Sequence, residues 1–164
     1  SIAAGHLREA SLAAAVKRRK LGRLAALDAD PISLDKVRRD YGHYGVETVA
    51  AHLRRLLTGQ LQLGTFDLVY STGLLDYLND SAAARLVTVM FDMLRPGGRM
   101  VVANFLPGVR DTGYMEAFMD WQLIYRTRRD MVGLTLDVPE DQIRELTLFA
   151  EEHRNIIFLQ VTKR

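Results

Sequence analysis

The 164-residue chain has no cysteine, four prolines and a single tryptophan. Without cysteine there is no disulfide framework, no thiolate nucleophile and no Cys-based zinc site, a usage that suits a reducing cytoplasm and predicts that compartment. Long hydrophobic runs are also missing. None approaches the roughly 18 residues of a membrane helix, and the N-terminus lacks the charged-then-apolar pattern of a secretory signal. Nor does one sign of charge dominate: 22 Lys and Arg face 20 Asp and Glu, a net charge of +2 that argues for no nucleic-acid partner. What is present is 48% hydrophobic and 26% charged residues, which excludes a disordered or collagen-like chain. A chain of this length buries roughly 70% of its unfolded surface, enough for one domain over 1–164. The first residue is Ser1, and the residues after it read as the end of a strand, so the first strand is expected to be truncated and an N-terminal segment, such as a lid, to precede it.

The pattern alternates strands and helices. Ser1 to Leu7 runs from an apolar stub through a small-residue turn into a helix over Arg8 to Lys20, with Leu12 and Val16 on one face and Gly22 as its stop. Arg23 to Asp28 reads as a buried parallel strand ending in an acid. Asp30-Pro31 opens a second helix as N-cap and first helical residue, with Ile32, Leu34, Val37 and Tyr41 inward. Val46 to Ala50 and Phe66 to Ser71 read as strands. Asp80 to Leu94 reads as a helix, with Ala83, Leu86, Val87, Met90, Phe91 and Leu94 at offsets of three and four. Arg95-Pro96-Gly97-Gly98 fits a type II turn before a strand over Arg99 to Phe105. Tyr114 to Arg128 reads as a helix that is apolar over a broad arc. A short helix near Glu140 follows, then a hairpin of Thr147 to Ala150 and Asn155 to Thr162, with Glu151 to Arg154 at its tip. The sum is an α/β fold with a mostly parallel, doubly wound sheet covered by helices on both faces.

In such a sheet ligands sit outside the carboxyl ends of the strands. Those ends carry Ala3, Gly5 and His6 after strand one, Asp28 and Ala29 after strand two, Ala51, His52 and Leu53 after strand three, Ser71, Thr72 and Gly73 after strand four, and Asn104 after strand five. Gly5 would let a ligand approach the backbone. Asp28, 23 residues on, is placed to accept hydrogen bonds from both hydroxyls of a ribose, so a nucleoside-containing cofactor is expected. Asp30 serves as a helix cap or touches the ribose or adenine edge. His52 is a partly exposed polar residue whose backbone N–H could read an adenine ring. The run Lys17-Arg18-Arg19-Lys20 is the solvated end of a helix. Outside Asp28 and Asp30, no pair of His or acids shows metal-ligand spacing at a strand end, so no metal is expected.

Over essentially its whole length the chain resembles class I S-adenosylmethionine-dependent methyltransferases. Ser1-Ile2-Ala3-Ala4-Gly5-His6-Leu7 is similar to the family's glycine-rich first motif, Ala26-Leu27-Asp28-Ala29-Asp30 to its acidic second motif, Phe66 to Leu78 to its fourth-strand motif, and Leu94 to Arg99 to its turn before strand five. The first motif departs from the pattern: Ser1 replaces the usual acid and Ala3 the first glycine, leaving Gly5 alone. The resemblance implies S-adenosylmethionine as cofactor and a Rossmann-like sheet of about seven strands ordered 3-2-1-4-5-7-6, the last antiparallel.

A narrower resemblance, in Asn104-Phe105-Leu106-Pro107 and in Tyr114 to Arg126, is to bacterial methyltransferases that make a hydroxy fatty acid methyl ester signal. It implies a small, lipid-like acceptor near Asn104, Tyr114, Tyr125 and Arg126, with Arg126 able to pair with a carboxylate; the bland alternative is that the apolar segment is core and the arginine structural. Methyl transfer from a sulfonium needs mainly alignment and exclusion of water. A carboxylate acceptor needs no base, whereas a hydroxyl or amine would need one of His6, Tyr114, His43 or Asp76, among which the sequence does not choose. Two other classes stay open: a non-catalytic binding or regulatory module, encouraged by the altered first motif, and an NAD-dependent dehydrogenase, disfavoured by the missing three-glycine fingerprint.

Overall fold

The computed structural model describes residues 1–164, which divide into two compact units, Ser1–Gln62 and Leu63–Arg164. In the first unit Leu24–Asp28 (β1) pairs in parallel with Val46–Ala50 (β2), from Leu24 opposite Val46 to Asp28 opposite Ala50. Ala25, Ala26 and Leu27 are all buried, as the centre of a strand covered on both faces requires. The expected first strand is reduced to one parallel bridge, Ile2 to Leu27. It is held by the Leu27 N–H on the Ser1 carbonyl at 2.9 Å and the Ala4 N–H on the Leu27 carbonyl at 3.0 Å.

The helix expected over Arg8 to Lys20 is broken. A 3-10 turn, Arg8–Ser11, is followed by a single α-turn, Ala14–Lys17 (α1), because Ala13 is extended (ψ 105°) and resets the helical phase. Leu12 is therefore 86% exposed while Val16 is buried, and the chain turns at Arg19 (φ 51°) rather than at Gly22. Pro31–Tyr41 (α2) forms as read: the Asp30 carboxylate accepts from the Ile32 and Ser33 amides, Pro31 fills the first position, and Leu34 and Val37 are buried. Ile32, expected inward, is exposed. Leu7, Ala10, Val16, Ala26, Leu34, Val37 and Val46 form this unit's core, and Leu53–Leu57 (α3) follows β2.

In the second unit Phe66–Ser71 (β3), Leu94–Phe105 (β4), Ile143–Ala150 (β5) and Ile156–Lys163 (β6) form a sheet ordered β3-β4-β6-β5. β3 and β4 are parallel, and β6 is antiparallel to both its neighbours. Asp80–Asp92 (α4) links β3 to β4. Asn79 caps it, and Ala83, Leu86, Val87, Met90 and Phe91 are buried, the apolar stripe the sequence shows. β4 starts at Leu94, earlier than expected, because Leu94 already pairs with Phe66; Arg95 to Gly98 bulge out before Arg99 meets Leu68. Gly97 takes φ 77°, and a Cβ on Gly98 would lie 2.9 Å from the Arg95 carbonyl oxygen and 3.0 Å from that of Phe66.

Hairpin β5–β6 starts earlier than its reading. Its tip is held by Glu151, whose carboxylate accepts from the amides of His153, Asn155 and Ile156 and is drawn below the usual carboxylate range chiefly by the first of these. The fold is thus α/β with six strands in two sheets, not seven strands in one. The β3-β4-β6-β5 order, with β6 reversed, has the form expected of the 4-5-7-6 half. No helix is long and apolar enough to cross a membrane.

Over Tyr114 to Arg128 the expected single helix does not form. Only Thr112–Phe118 (α5) is helical there; the chain then reverses through Asp120 (φ 48°) and runs without regular structure to Arg128–Gly133 (α6). The broad apolar arc belongs to two segments with different neighbours, so its periodicity described no single helix. Thr127 opens α6 in a capping box with Asp130.

Candidate functional site

In the first unit, the residues around the Ala3–Leu7 loop converge on Asp28. The Asp28 Oδ2 accepts from the Gly5 N–H at 2.8 Å, and its Oδ1 accepts from the Asp30 N–H at 2.9 Å. A carboxylate offers about four acceptor positions, so each oxygen can accept one more donor. The loop itself is unusual. Ala3, Gly5 and Leu7 take φ of 53°, 51° and 49°, left-handed at every second residue. Glycine adopts this conformation freely, whereas another L-residue pays about 1–2 kcal/mol. Around Gly5 the space is open, since a Cβ built there would meet nothing within 4 Å.

A concavity of about 350 Å³ lies beside this loop, lined by Ala4, Gly5, His6, Leu7, Arg8, Glu9 and Ser33. Ser33, which the sequence reading missed, follows from the cap at Asp30: its hydroxyl bonds the Asp30 carboxylate at 2.6 Å. Asp30 is held below the usual carboxylate range by that hydroxyl, then by the Ile32 and Ser33 amides, with a smaller pull from His6. Ala29 and His52 are exposed and Ala51 is buried. The Ala51 N–H bonds the Asp28 carbonyl at 2.9 Å, which brings the end of β2 to the end of β1. Leu53 begins α3, with His52 as its N-cap residue.

In the second unit Ser71 is buried at the end of β3, and Thr72 and Gly73 are exposed. Asn104 and Arg126 are joined. Arg126 is 1% exposed, and all five of its N–H groups end on protein: Nη1 on the Leu75 carbonyl and Asn104 Oδ1, Nη2 on the Leu78 carbonyl and Asp80 Oδ1, and Nε on Asp80 Oδ1. In this arrangement no donor of Arg126 is left for an acceptor carboxylate. Asn104 is equally occupied, donating to the Phe105 and Ile124 carbonyls. Asp80, not singled out by sequence, owes its place to the first turn of α4.

The segment Trp121 to Arg126 forms a strap that joins the 3-10 turn Leu75–Tyr77 to the end of β4. The Ile124 N–H bonds the Asp76 carbonyl, the Arg126 N–H bonds the Phe105 carbonyl, and the Asp76 Oδ1 accepts from the Phe105 N–H at 2.7 Å. Asp76 is buried, and that burial raises its pKa despite the opposing pull of the Phe105 amide, its own amide and Arg126. The Tyr125 hydroxyl is buried without a hydrogen-bond partner. Tyr114 is exposed and stacks on the exposed Phe118, ring centroids 5.5 Å apart; Met119, next in the chain, is exposed as well.

The family profile described as a methyltransferase domain matches residues 8–98, more than half of the chain. The chain belongs to the methyltransferase domain family. No curated protein matches the sequence. Among solved structures, a candidate O-methyltransferase from Nostoc punctiforme is 15% identical with a TM-score of 0.73, over 99% of this chain and 50% of that one. A possible exported protein from Bordetella parapertussis is 17% identical with a TM-score of 0.68, over 98% of this chain and 59% of that one. The magnesium protoporphyrin IX methyltransferase of Synechocystis, solved with S-adenosylhomocysteine, is 12% identical with a TM-score of 0.66, over 99% of this chain and 72% of that one. At these identities the likeness is one of fold. The methyltransferase-domain chain spans about half to three fifths of the Nostoc and Bordetella proteins.

Proposed function

We propose that this methyltransferase-family chain binds S-adenosylmethionine and transfers its methyl group to a small, apolar acceptor. The observation that carries this reading is the bond from the Gly5 N–H to the Asp28 carboxylate. It sets an acid with spare acceptor capacity beside a left-handed loop and open space, the arrangement a ribose and a sulfonium tail require. The Synechocystis relative, solved with S-adenosylhomocysteine, supports the cofactor class. In this account Asp28 orients the ribose, the Ala3–Leu7 loop admits the methionine portion, and His52, Leu53 and Ala29 border the adenine. S-Adenosylmethionine supplies the activated methyl group, and the chain's residues align it and exclude water.

The exposed apolar side chains of Tyr114, Phe118 and Met119 support a lipid-like acceptor. With Arg126 committed to protein groups, a fatty acid carboxylate would have to be held by other residues. A second reading, a module that binds the cofactor's nucleoside without catalysis, is favoured by Ser1 and Ala3 at positions where the family carries an acid and a glycine. Calorimetric titration with S-adenosylhomocysteine, S-adenosylmethionine and NAD tests the cofactor assignment. Binding of the first two and not of NAD supports it, and silence from both sulfur compounds refutes it. A methyl-transfer assay over fatty acids and apolar alcohols then separates enzyme from module.

A further inference from the structure

The loop that the proposed function gives to the cofactor is left-handed at three alternating residues, yet only one of them is glycine. Something must hold the other two. Leu7 is held by packing, its side chain 1% exposed in the core of the first unit, and Ala3 is flanked by the bridge at Ile2 and by the Ala4 N–H on the Leu27 carbonyl at 3.0 Å. Between Ala3 and Leu7 lies the Ala4–Gly5 peptide, and both its ends are pinned. Its carbonyl accepts from the Leu7 N–H at 2.8 Å, and its N–H donates to the Asp28 Oδ2 at 2.8 Å. Because Gly5 tolerates either sign of φ, rotation of this peptide is the easiest way out of the loop's conformation. The Asp28 carboxylate closes that route. Its own orientation is fixed by the Asp30 N–H on Oδ1, and Asp30 in turn caps α2.

We infer that Asp28 is a positioning residue for the Ala3–Leu7 loop, holding it in a left-handed shape that glycines at Ala3 and Leu7 would tolerate without strain. The consequence for cofactor affinity rests on the proposed function; the clamp itself is a property of the protein alone. The test uses the full chain. Amide hydrogen exchange at Gly5, followed by NMR without ligand, is expected to accelerate by about tenfold or more in Asp28→Ala, while amides in α2 keep their protection. Asp28→Asn, which keeps the shape and one acceptor oxygen, is the milder variant and is expected to give an intermediate acceleration should Asp28→Ala fold poorly. Unchanged Gly5 exchange in both variants overturns the inference.

A double-mutant cycle reads the same clamp through binding. The loss of S-adenosylhomocysteine affinity caused by Asp28→Ala is expected to be smaller by about threefold or more when Ala3→Gly is also present, because glycine relaxes the loop's need for restraint. Equal losses in the two backgrounds contradict the clamp. If the unaltered protein binds no S-adenosylhomocysteine at all, the proposed function fails, and the ligand-free exchange at Gly5 alone decides the clamp.

Discussion

Arg126 donates from Nη1 to the Oδ1 of Asn104 at 2.7 Å, and both residues are 1% exposed. Around this bond the guanidinium also satisfies the carbonyls of Leu75 and Leu78. Its ionic partner Asp80 is 85% exposed, so the ion pair contributes little beside the buried hydrogen bonds. Arg126→Met should cost about 3 kcal/mol or more, since three buried acceptors lose their donor at about 1–3 kcal/mol each. Asp80→Ala should cost no more than about 1 kcal/mol. Urea unfolding of the two variants checks the contrast, and comparable losses would show that the ion pair dominates.

Asp76 gives a pH dependence of definite sign. Its carboxyl titrates above the ordinary 3.8 in the folded protein because burial disfavours the charge. Between 3.8 and its raised value the folded state holds the proton more tightly than the unfolded state. Asp76 therefore lowers stability as pH rises through that window and adds no further slope above it. Asp76→Asn should remove this slope while leaving those of Asp30, Asp130 and Glu151, which run the opposite way because their carboxyls are held below the usual range. Unfolding curves of the two proteins across the window measure the difference. A constant difference would mean that Asp76 titrates normally.

At Gly98 the limiting factor is space, not backbone angle. A methyl group there would press on the carbonyl oxygens of Arg95 and Phe66, both main-chain atoms that cannot swing aside. Gly98→Ala should destabilise the protein by about 1–3 kcal/mol. An unchanged unfolding midpoint would show that the bulge at Arg95 to Gly98 opens freely.

The Tyr125 hydroxyl is buried and unpartnered, so Tyr125→Phe should be neutral or stabilise by up to about 1 kcal/mol. If the hydroxyl serves the acceptor, the same variant lowers the rate of methyl transfer. Thermal unfolding and turnover measured together separate the two effects.

The parts legible in the sequence were those fixed by local chemistry. Asp30-Pro31 signals a cap and a first helical residue, Phe66 to Ser71 a strand, and the spacing of Ala83, Leu86, Val87, Met90 and Phe91 a buried helical stripe, and each forms accordingly. Failures came where tertiary contacts override periodicity. The apolar residues from Tyr114 to Tyr125 suit a helix, yet the strap is pulled straight by bonds to Asp76, Phe105 and Asn104, partners 20 or more residues away. Leu12 and Val16 share a helical spacing, yet Ala13 breaks the helix between them. At the candidate site the placement of Gly5 and Asp28 at strand ends was foreshadowed, though not the bond between them. The left-handed turns at Ala3 and Leu7 were not, because neither residue type announces that conformation.

The most direct test of the cofactor site is calorimetric titration of S-adenosylhomocysteine into the natural chain and into Asp28→Ala. Measurable binding is expected, weakening by about 1–3 kcal/mol in the variant, the loss of a charge-assisted hydrogen bond to the ribose. Identical affinities would contradict it and place the nucleoside away from Asp28.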